Sequence, residues 1–573
     1  MKNSFLKIFL TFHLIFVIPS AQLFSRGKAY EDPQLSKCLV AAQEGVATAH
    51  IEASRVGETI LQQGGNAVDA ATAIAMALAV VYPQAGNLGG GGFLVYRSGE
   101  GQLYTLDFRE TAPAAAHPKL YLDQTGKIQA EKSRIGGLAV GVPGTVRGFY
   151  QFQQKFGKLP WSTVLQPAID LAENGFVLND FMVRAIQENA DDLKKFSYTA
   201  SIFFPEGYAP KAGQRFYQHD LARSLRAIAL HGDRAFYEGQ IAREIVKTVQ
   251  QSGGILTLDD LKTYRAIERS PLIFSYNDFQ IITLPPPSSG GVILAGIFNA
   301  LKMRKKPLPP SNSLEQIILL AELERHFFAL RNQFLGDPQF VKMPLEQFLS
   351  PEFARKIFRS INFHHPVASR EISFDQFLPQ ESEETTHFSV VDSEQNAVSV
   401  TYTLNESFGS KLAAISTGIL LNNEMDDFTI KPGVPNAYGL LQGEANQVEG
   451  GKRMLSSMTP VIVTQNEQLT GVLGTPGGPT IITTMLQVLL NLMEYRMDLP
   501  EALAAGRFHH QWMPDSLYLE KNKFDGETLQ SLEQRGYPVV LRNHLGDVQA
   551  IWRNGQGWQI CSDPRGNGYP RGQ

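Results

Sequence analysis

Hydroxyl side chains are the candidate nucleophiles of this chain, and they concentrate in one stretch. Residues 385 to 410 read TTHFSVVDSEQNAVSVTYTLNESFGS, two segments of strand character, about 386–392 and 397–405, joined by a short polar turn. Phe388 and Val390 are apolar on the first, and Val398, Val400, Tyr402 and Leu404 on the second. An antiparallel pairing that puts all of them on one face needs an odd loop. Pairing Asp392 with Asn396 across three residues satisfies this, and every pair of residue numbers then sums to 788. Thr385 lies opposite Thr403 in that register, beside Asn405, with His387, Ser389, Ser399 and Thr401 along the same side. Such a row is either a solvated face of a half-exposed sheet or a line of reactive groups, and the pattern leaves both open.

Other catalytic signatures are missing. There is no Gly-x-Ser-x-Gly elbow, no His-Glu-x-x-His and no Gly-x-x-x-x-Gly-Lys-Ser/Thr loop. His364–His365 and His509–His510 are sequence neighbours, so their rings are not set to converge on one metal, and local hydrogen bonding or surface exposure accounts for them. Cys38 and Cys561 are the only cysteines, too few for a disulfide framework or a four-thiolate zinc site, and their pairing is left open.

The elements around the hydroxyl row alternate between helix and sheet. NAVDAATAIAMALAVVY, 66–82, suits a buried helix that Pro83 stops, and Gly89–Gly92 then opens the strands FLVYR and LYTLDF. A dinucleotide loop has the opposite order, leaving a strand and opening a helix. Helical spacing recurs in HDLARSLRAIALHG and GQIAREIVKTVQQ, Thr257 and Asp260 form a capping pair, and helices fill about 313–360. Residues 271–284 read as a hairpin turning at Asn277 and Asp278, followed by the rigid loop PPPSSGG. The acidic segment 372–384, with Glu381, Glu383 and Glu384, is the candidate exposed linker, and ITTMLQVLLNLMEY is a further helix.

The 573 residues, 43% hydrophobic and 19% charged, can bury a large core, and length alone suggests three or four domains at about 150 residues each. A formal net charge of -4 provides no basic surface, so nucleic acid is not expected as a partner. Residues 1–21 have the order of a secretory signal peptide: Lys2 and Lys7, an apolar run from Ile8 to Ile18, then small residues ending at Ala21. That run is shorter than the ~20 residues that cross a bilayer. Cleavage near Ala21 or Ala29 would release an exported protein, periplasmic or secreted, without stable membrane insertion.

Ten separated motifs carry a resemblance. GGNAVDAA, PQAGNLGGGGF, LDFRETAP, PPPSSGG, TTHFSVVD, VTYTLN, GILLNNEMDDF, KPGVPNAYGL, LSSMTP and GTPGGPTIITT occur in the order found in the gamma-glutamyltransferase family, also called gamma-glutamyltranspeptidase or glutathione hydrolase, which this chain resembles. The likeness runs from about residue 40 to SDPRG near Ser562. It implies an α+β fold, a four-layer αββα sandwich of the N-terminal-nucleophile hydrolase type. A precursor would cut itself into a large subunit, 22–384, and a small subunit, 385–573, that remain a heterodimer.

The family's residues carry over onto these motifs. Thr385 is the implied nucleophile, first in self-cleavage at Glu384–Thr385 and then in catalysis, with Thr403 orienting its hydroxyl. Arg109, Ser456 and Ser457 would take the substrate α-carboxylate, a group that suits arginine's two-pronged donors. Asn405, Glu424 and Asp427 would take the α-ammonium. Gly477 and Gly478 would hold the oxyanion at the start of a helix. Residues 432–441 resemble a lid with Tyr438 as its covering aromatic, which favours small donors such as glutathione and glutamine, and water, amino acids or peptides as acceptors. No metal or organic cofactor is expected. Two competing readings remain: a related amidase, such as a cephalosporin acylase or poly-gamma-glutamate depolymerase, and an exported amino-acid-binding protein that stays uncut.

Overall fold

The computed structural model describes residues 37–366, 368–372, 385–434, 436, 440–555 and 557–573. The leader segment 1–21, Glu381, Glu383, Glu384 and Tyr438 lie outside the described residues. Within them, the helix Ala67–Val81 has every residue buried, as its alanine-rich sequence requires, and an Asn66–Asp69 capping box starts it. It covers one face of a seven-stranded antiparallel sheet. In spatial order the strands are Arg571–Gly572, Gly45–Thr48, Thr386–Val391, Ala397–Thr403, Gly91–Arg97, Leu103–Asp107 and Ile267–Arg269.

A second seven-stranded antiparallel sheet runs Cys38–Ala41, Gly557–Ser562, Gln549–Asn554, Gln468–Gly474, Val461–Gln465, Phe279–Thr283 and Leu272–Tyr276. Its outer face packs under the helices Gly290–Leu301, Leu314–Phe334 and Thr480–Met493 in one apolar core. The first sheet forms another core with Ala67–Val81, Thr145–Phe156, Trp161–Asn174 and His219–His231. The two sheets meet through their inner faces, completing an αββα order of layers and an α+β fold. The sequence-based expectation of three or four domains gives way to one layered unit, because each sheet mixes strands from before and after residue 385.

The central hairpin has the register that parity requires. Thr386 pairs with Tyr402 and Val391 with Ala397, and the Asp392 N–H donates to the Asn396 carbonyl at 3.1 Å. Phe388, Val390, Val400 and Tyr402 enter the helix-side core, and the Tyr402 hydroxyl donates to the Ala75 carbonyl at 3.0 Å. The hydroxyl row on the other face is not solvated. Ser389 Oγ donates to the Gln549 carbonyl at 3.0 Å and Ser399 Oγ to the Leu473 carbonyl at 3.2 Å, both on the opposing sheet. His387 lies in this seam, bonded to Thr401 Oγ1 at 2.8 Å and Ser389 Oγ at 3.1 Å. Because Ser389 spends its proton on Gln549, the ring's Nε2 must be the protonated nitrogen. Burial pushes the imidazole down to about 3, so it is neutral.

Cys38 and Cys561 face each other on adjacent strands and are disulfide-bonded. His509 bonds Thr483 and Gln511, and the His510 backbone N–H donates to Glu324, so the two neighbours are buried and tie distant elements together rather than lying at the surface or bonding only locally. Among the described residues, no helix is long and apolar enough to cross a membrane.

Candidate active site

The hairpin delivers its first and last hydroxyls to one cavity. Thr385 precedes Thr386–Val391 and Thr403 closes the partner strand; both line a cavity with Arg109, Asn405, Asp427, Ser456, Ser457 and Gly478. Thr403 Oγ1 accepts the backbone N–H of Asn405 at 2.8 Å. That bond requires the chain to turn back sharply, and Asn405 does so with φ +81°, a conformation asparagine tolerates better than most residues. Accepting this N–H directs the Thr403 hydroxyl proton toward other oxygens. The Asn405 side chain is held in turn by the Asn423 carbonyl at 3.0 Å.

Arg109 is fully buried just beyond the strand Leu103–Asp107, and its backbone N–H is fixed by Asp107 at 2.9 Å. Its two Nη atoms pair with Glu424 and Asp427, and Glu110 lies 3.6 Å away. Burial alone would lower the guanidinium pKa, but Glu424, Asp427 and Glu110 more than reverse this. Burial raises all three carboxyls, against the opposing pull of Arg109. Glu424 does not reach the cavity wall; it stands behind Arg109, whereas Asp427 opens onto the cavity. The residues expected to hold opposite ends of an amino acid thus also bind one another.

Ser456 and Ser457 are braced by the PPPSSGG loop. The Ser456 N–H donates to the Pro287 carbonyl and the Ser289 N–H to the Ser456 carbonyl, both at 2.8 Å. Across the cavity, Gly477 and Gly478 have φ +127° and +54°, left-handed conformations that a side chain would strain. Their carbonyls face the following helix: Gly477 O accepts from Thr480 N at 3.0 Å, and Gly478 O from Ile481 N at 3.2 Å. Neither glycine N–H donates to an acceptor among the described residues, which leaves two donors at a helix N-terminus, a place suited to negative charge.

The sequence profile of the gamma-glutamyltranspeptidase family matches residues 53–572. The chain belongs to this family. A glutathione hydrolase proenzyme of Escherichia coli (strain K12) is 44% identical over 536 residues, and the match covers 92% of this chain and 91% of that one. A glutathione hydrolase proenzyme of Pseudomonas sp. (strain A14) is 45% identical, with 90% of each chain covered. Among solved structures, the Helicobacter pylori gamma-glutamyltranspeptidase is 39% identical with a TM-score of 0.54, covering 55% of this chain and 90% of that one. A cephalosporin acylase from Bacillus halodurans superposes with a TM-score of 0.84 over 95% of this chain and 98% of that one; at 24% identity this is a likeness of fold.

Two residues of this gamma-glutamyltranspeptidase site escaped sequence reading. Glu110 sits inside the quoted motif LDFRETAP and crowds Arg109. Arg331 lines the cavity from the helix Leu314–Phe334, and its only signal is a cation inside the apolar run IILLAELERHFFALR.

Proposed function

We propose that the chain is a self-processing gamma-glutamyltransferase and glutathione hydrolase. In the precursor, Thr385 Oγ attacks the Glu384 carbonyl; the acyl group moves from nitrogen to oxygen, and water opens the ester. This leaves a Glu384 carboxylate, a free Thr385 amine and a restored hydroxyl. The amine, with an ordinary pKa of ~7.7 to 8.0, is a base at neutral pH where the amide was not. The same hydroxyl then attacks the γ-carbonyl of a donor such as glutathione or glutamine while the amine takes its proton. Thr403 orients the hydroxyl, and the N–H groups of Gly477 and Gly478 hold the oxyanion. Collapse expels the donor's amine with that proton and leaves a γ-glutamyl ester on Thr385. Water, an amino acid or a peptide then takes the acyl group.

Arg109, Ser456 and Ser457 would receive the donor's α-carboxylate, and Asn405 and Asp427 its α-ammonium, with Glu424 adding negative charge from behind Arg109 and Tyr438 as the lid. The large and small subunits, 22–384 and 385–573, would remain a heterodimer in an exported enzyme released from the leader 1–21. The observation that carries the reading is the meeting of Thr385 and Thr403 in one cavity with Arg109, Arg331, Asp427, the paired serines and Gly478. N-terminal sequencing with intact mass of the denatured protein tests it. The expected result is two chains, one beginning Thr385-Thr386-His387, and an uncut Thr385→Ala variant. A single uncut wild-type chain would overturn the reading.

A further inference from the structure

Arg109 and Arg331 both reach the cavity, and among the described residues only Arg109 is in direct ion pairs. Arg109 is paired with Glu424 and Asp427. Arg331, also buried, has no carboxylate within ion-pair distance among the described residues, and the acid that attracts it from farther off, Asp427, is already paired with Arg109. Its nitrogens are all engaged, but by neutral oxygens: Nε by Ser289 Oγ at 3.0 Å, Nη1 by Asn332 Oδ1 at 2.8 Å and Nη2 by Ser457 Oγ at 3.2 Å. Burial pushes it down only to about 10, so it is charged at neutral pH. An unpaired guanidinium in a dry site is strongly unfavourable unless an anion arrives to compensate it.

The serines between Arg331 and the cavity are arranged for such an anion. Ser457 Oγ accepts from Arg331, and Ser456 Oγ accepts from the Met458 N–H at 3.1 Å. With a lone pair of each hydroxyl taken by an N–H, both protons are free to be donated. Ser289, which accepts from Arg331, donates its own proton to the Ser456 carbonyl at 2.6 Å, so the guanidinium braces both residues of the pair. We infer that Arg331, which no carboxylate contacts directly, helps select the donor's α-carboxylate, acting through Ser457 and Ser456 as a positioning and specificity-determining residue. The inference rests on the proposed γ-glutamyl function and adds to it: Arg109 meets the carboxylate from the cavity wall, and Arg331 adds a second positive charge behind the serine pair.

The test compares L-glutamate with 4-aminobutanoate, the same molecule without its α-carboxylate. Binding to self-cleaved wild type, Arg331→Met and Arg331→Lys is measured by calorimetry, beside turnover of γ-glutamyl-4-nitroanilide. Arg331→Met should lower the preference for glutamate by about tenfold or more, the effect of one charge-assisted hydrogen bond. It should raise KM for the anilide by a similar factor with a smaller change in kcat, and Arg331→Lys should recover most of the preference. An unchanged preference in Arg331→Met overturns the inference. So does an equal loss of both ligands in Arg331→Lys, the variant that also decides the matter if the methionine protein does not fold. Calorimetry needs no turnover, so a wild type that binds glutamate selectively but cleaves no anilide would sink the functional reading alone.

Discussion

Thr403 contributes one oxygen, and its neighbours determine what that oxygen can do. With the Asn405 N–H on one lone pair, the hydroxyl is poised to donate, and only a residue carrying a hydroxyl can replace it. Thr403→Val should therefore lower kcat about 100-fold, within the range seen for groups that handle a reacting proton, while Thr403→Ser stays within a few-fold. Steady-state kinetics on the self-cleaved proteins would show it, and equal losses in the two variants would move the cause from the hydroxyl to packing. His387, two residues from the proposed nucleophile, has a structural part in the seam, and pH separates that part from a catalytic one. Its folded pKa of about 3 lies below the ordinary 6.5, so between those values the unfolded chain binds a proton that the folded one refuses. Its contribution to stability is thus complete above about pH 6.5 and is lost as pH falls toward 3. A non-titrating His387→Gln escapes that loss. The destabilisation it causes at pH 7 should shrink by about 2 kcal/mol at pH 5, some 1.5 pH units into the window at about 1.36 kcal/mol each. Urea unfolding of both proteins at the two pH values measures this.

The turn at Gly477–Gly478 shows how an element carries chemistry that none of its side chains could. A Cβ on Gly477 would sit 2.4 Å from Thr480 Oγ1, the hydroxyl that donates to the Gly477 carbonyl at 2.7 Å and ties the turn to its helix. Gly478 opens onto the cavity with φ +54°, where alanine costs about 1 to 2 kcal/mol of strain. If the turn's N–H groups hold the oxyanion, Gly478→Ala should lower kcat about 100- to 1,000-fold, as loss of one such donor does elsewhere, with KM for the anilide little changed. A KM effect alone would assign the turn to substrate binding. Elements of this local kind were readable in the sequence. The hairpin register followed from apolar parity, the Asn277–Asp278 turn and the Thr257–Asp260 cap from residues with strong local preferences. What depended on distant partners was not readable. Whether the hydroxyl row met water or a second sheet turned on strands as remote as Gln549–Asn554. PPPSSGG was visible as a motif, but its bracing of Ser456 joins residues 167 apart. Arg331 had only the weak signal of a cation in a largely apolar helix, since its meaning lies in the direct ion pair it lacks.

For the whole molecule, the decisive fact is that residue 385 divides the sequence without dividing the fold. Thr386–Val391 lies between Gly45–Thr48 and Ala397–Thr403, and Val461–Gln465 between Phe279–Thr283 and Gln468–Gly474, so neither side of a cut could complete a sheet alone. Burial would therefore hold the two chains together after self-cleavage. The Cys38–Cys561 disulfide adds something different in kind, because its cysteines lie on opposite sides of the proposed cut. If Glu384–Thr385 is opened as proposed, it would become the covalent link between subunits, a bond that persists in an oxidising compartment. Separation of the chains is then an intramolecular step with an effective concentration on the order of millimolar. Against micromolar enzyme that is about a thousandfold, or roughly 4 kcal/mol toward the assembled state. The self-cleaved wild type should accordingly run as one band on a denaturing gel without reductant and as two with it. Cys561→Ser should give two bands in either case, yet elute as a heterodimer under native conditions. Its melting temperature should be lower than that of wild type and should rise with protein concentration, whereas the wild-type value should not. Two wild-type bands without reductant would mean that the strands alone hold the halves, and the concentration dependence would then appear in the wild type as well.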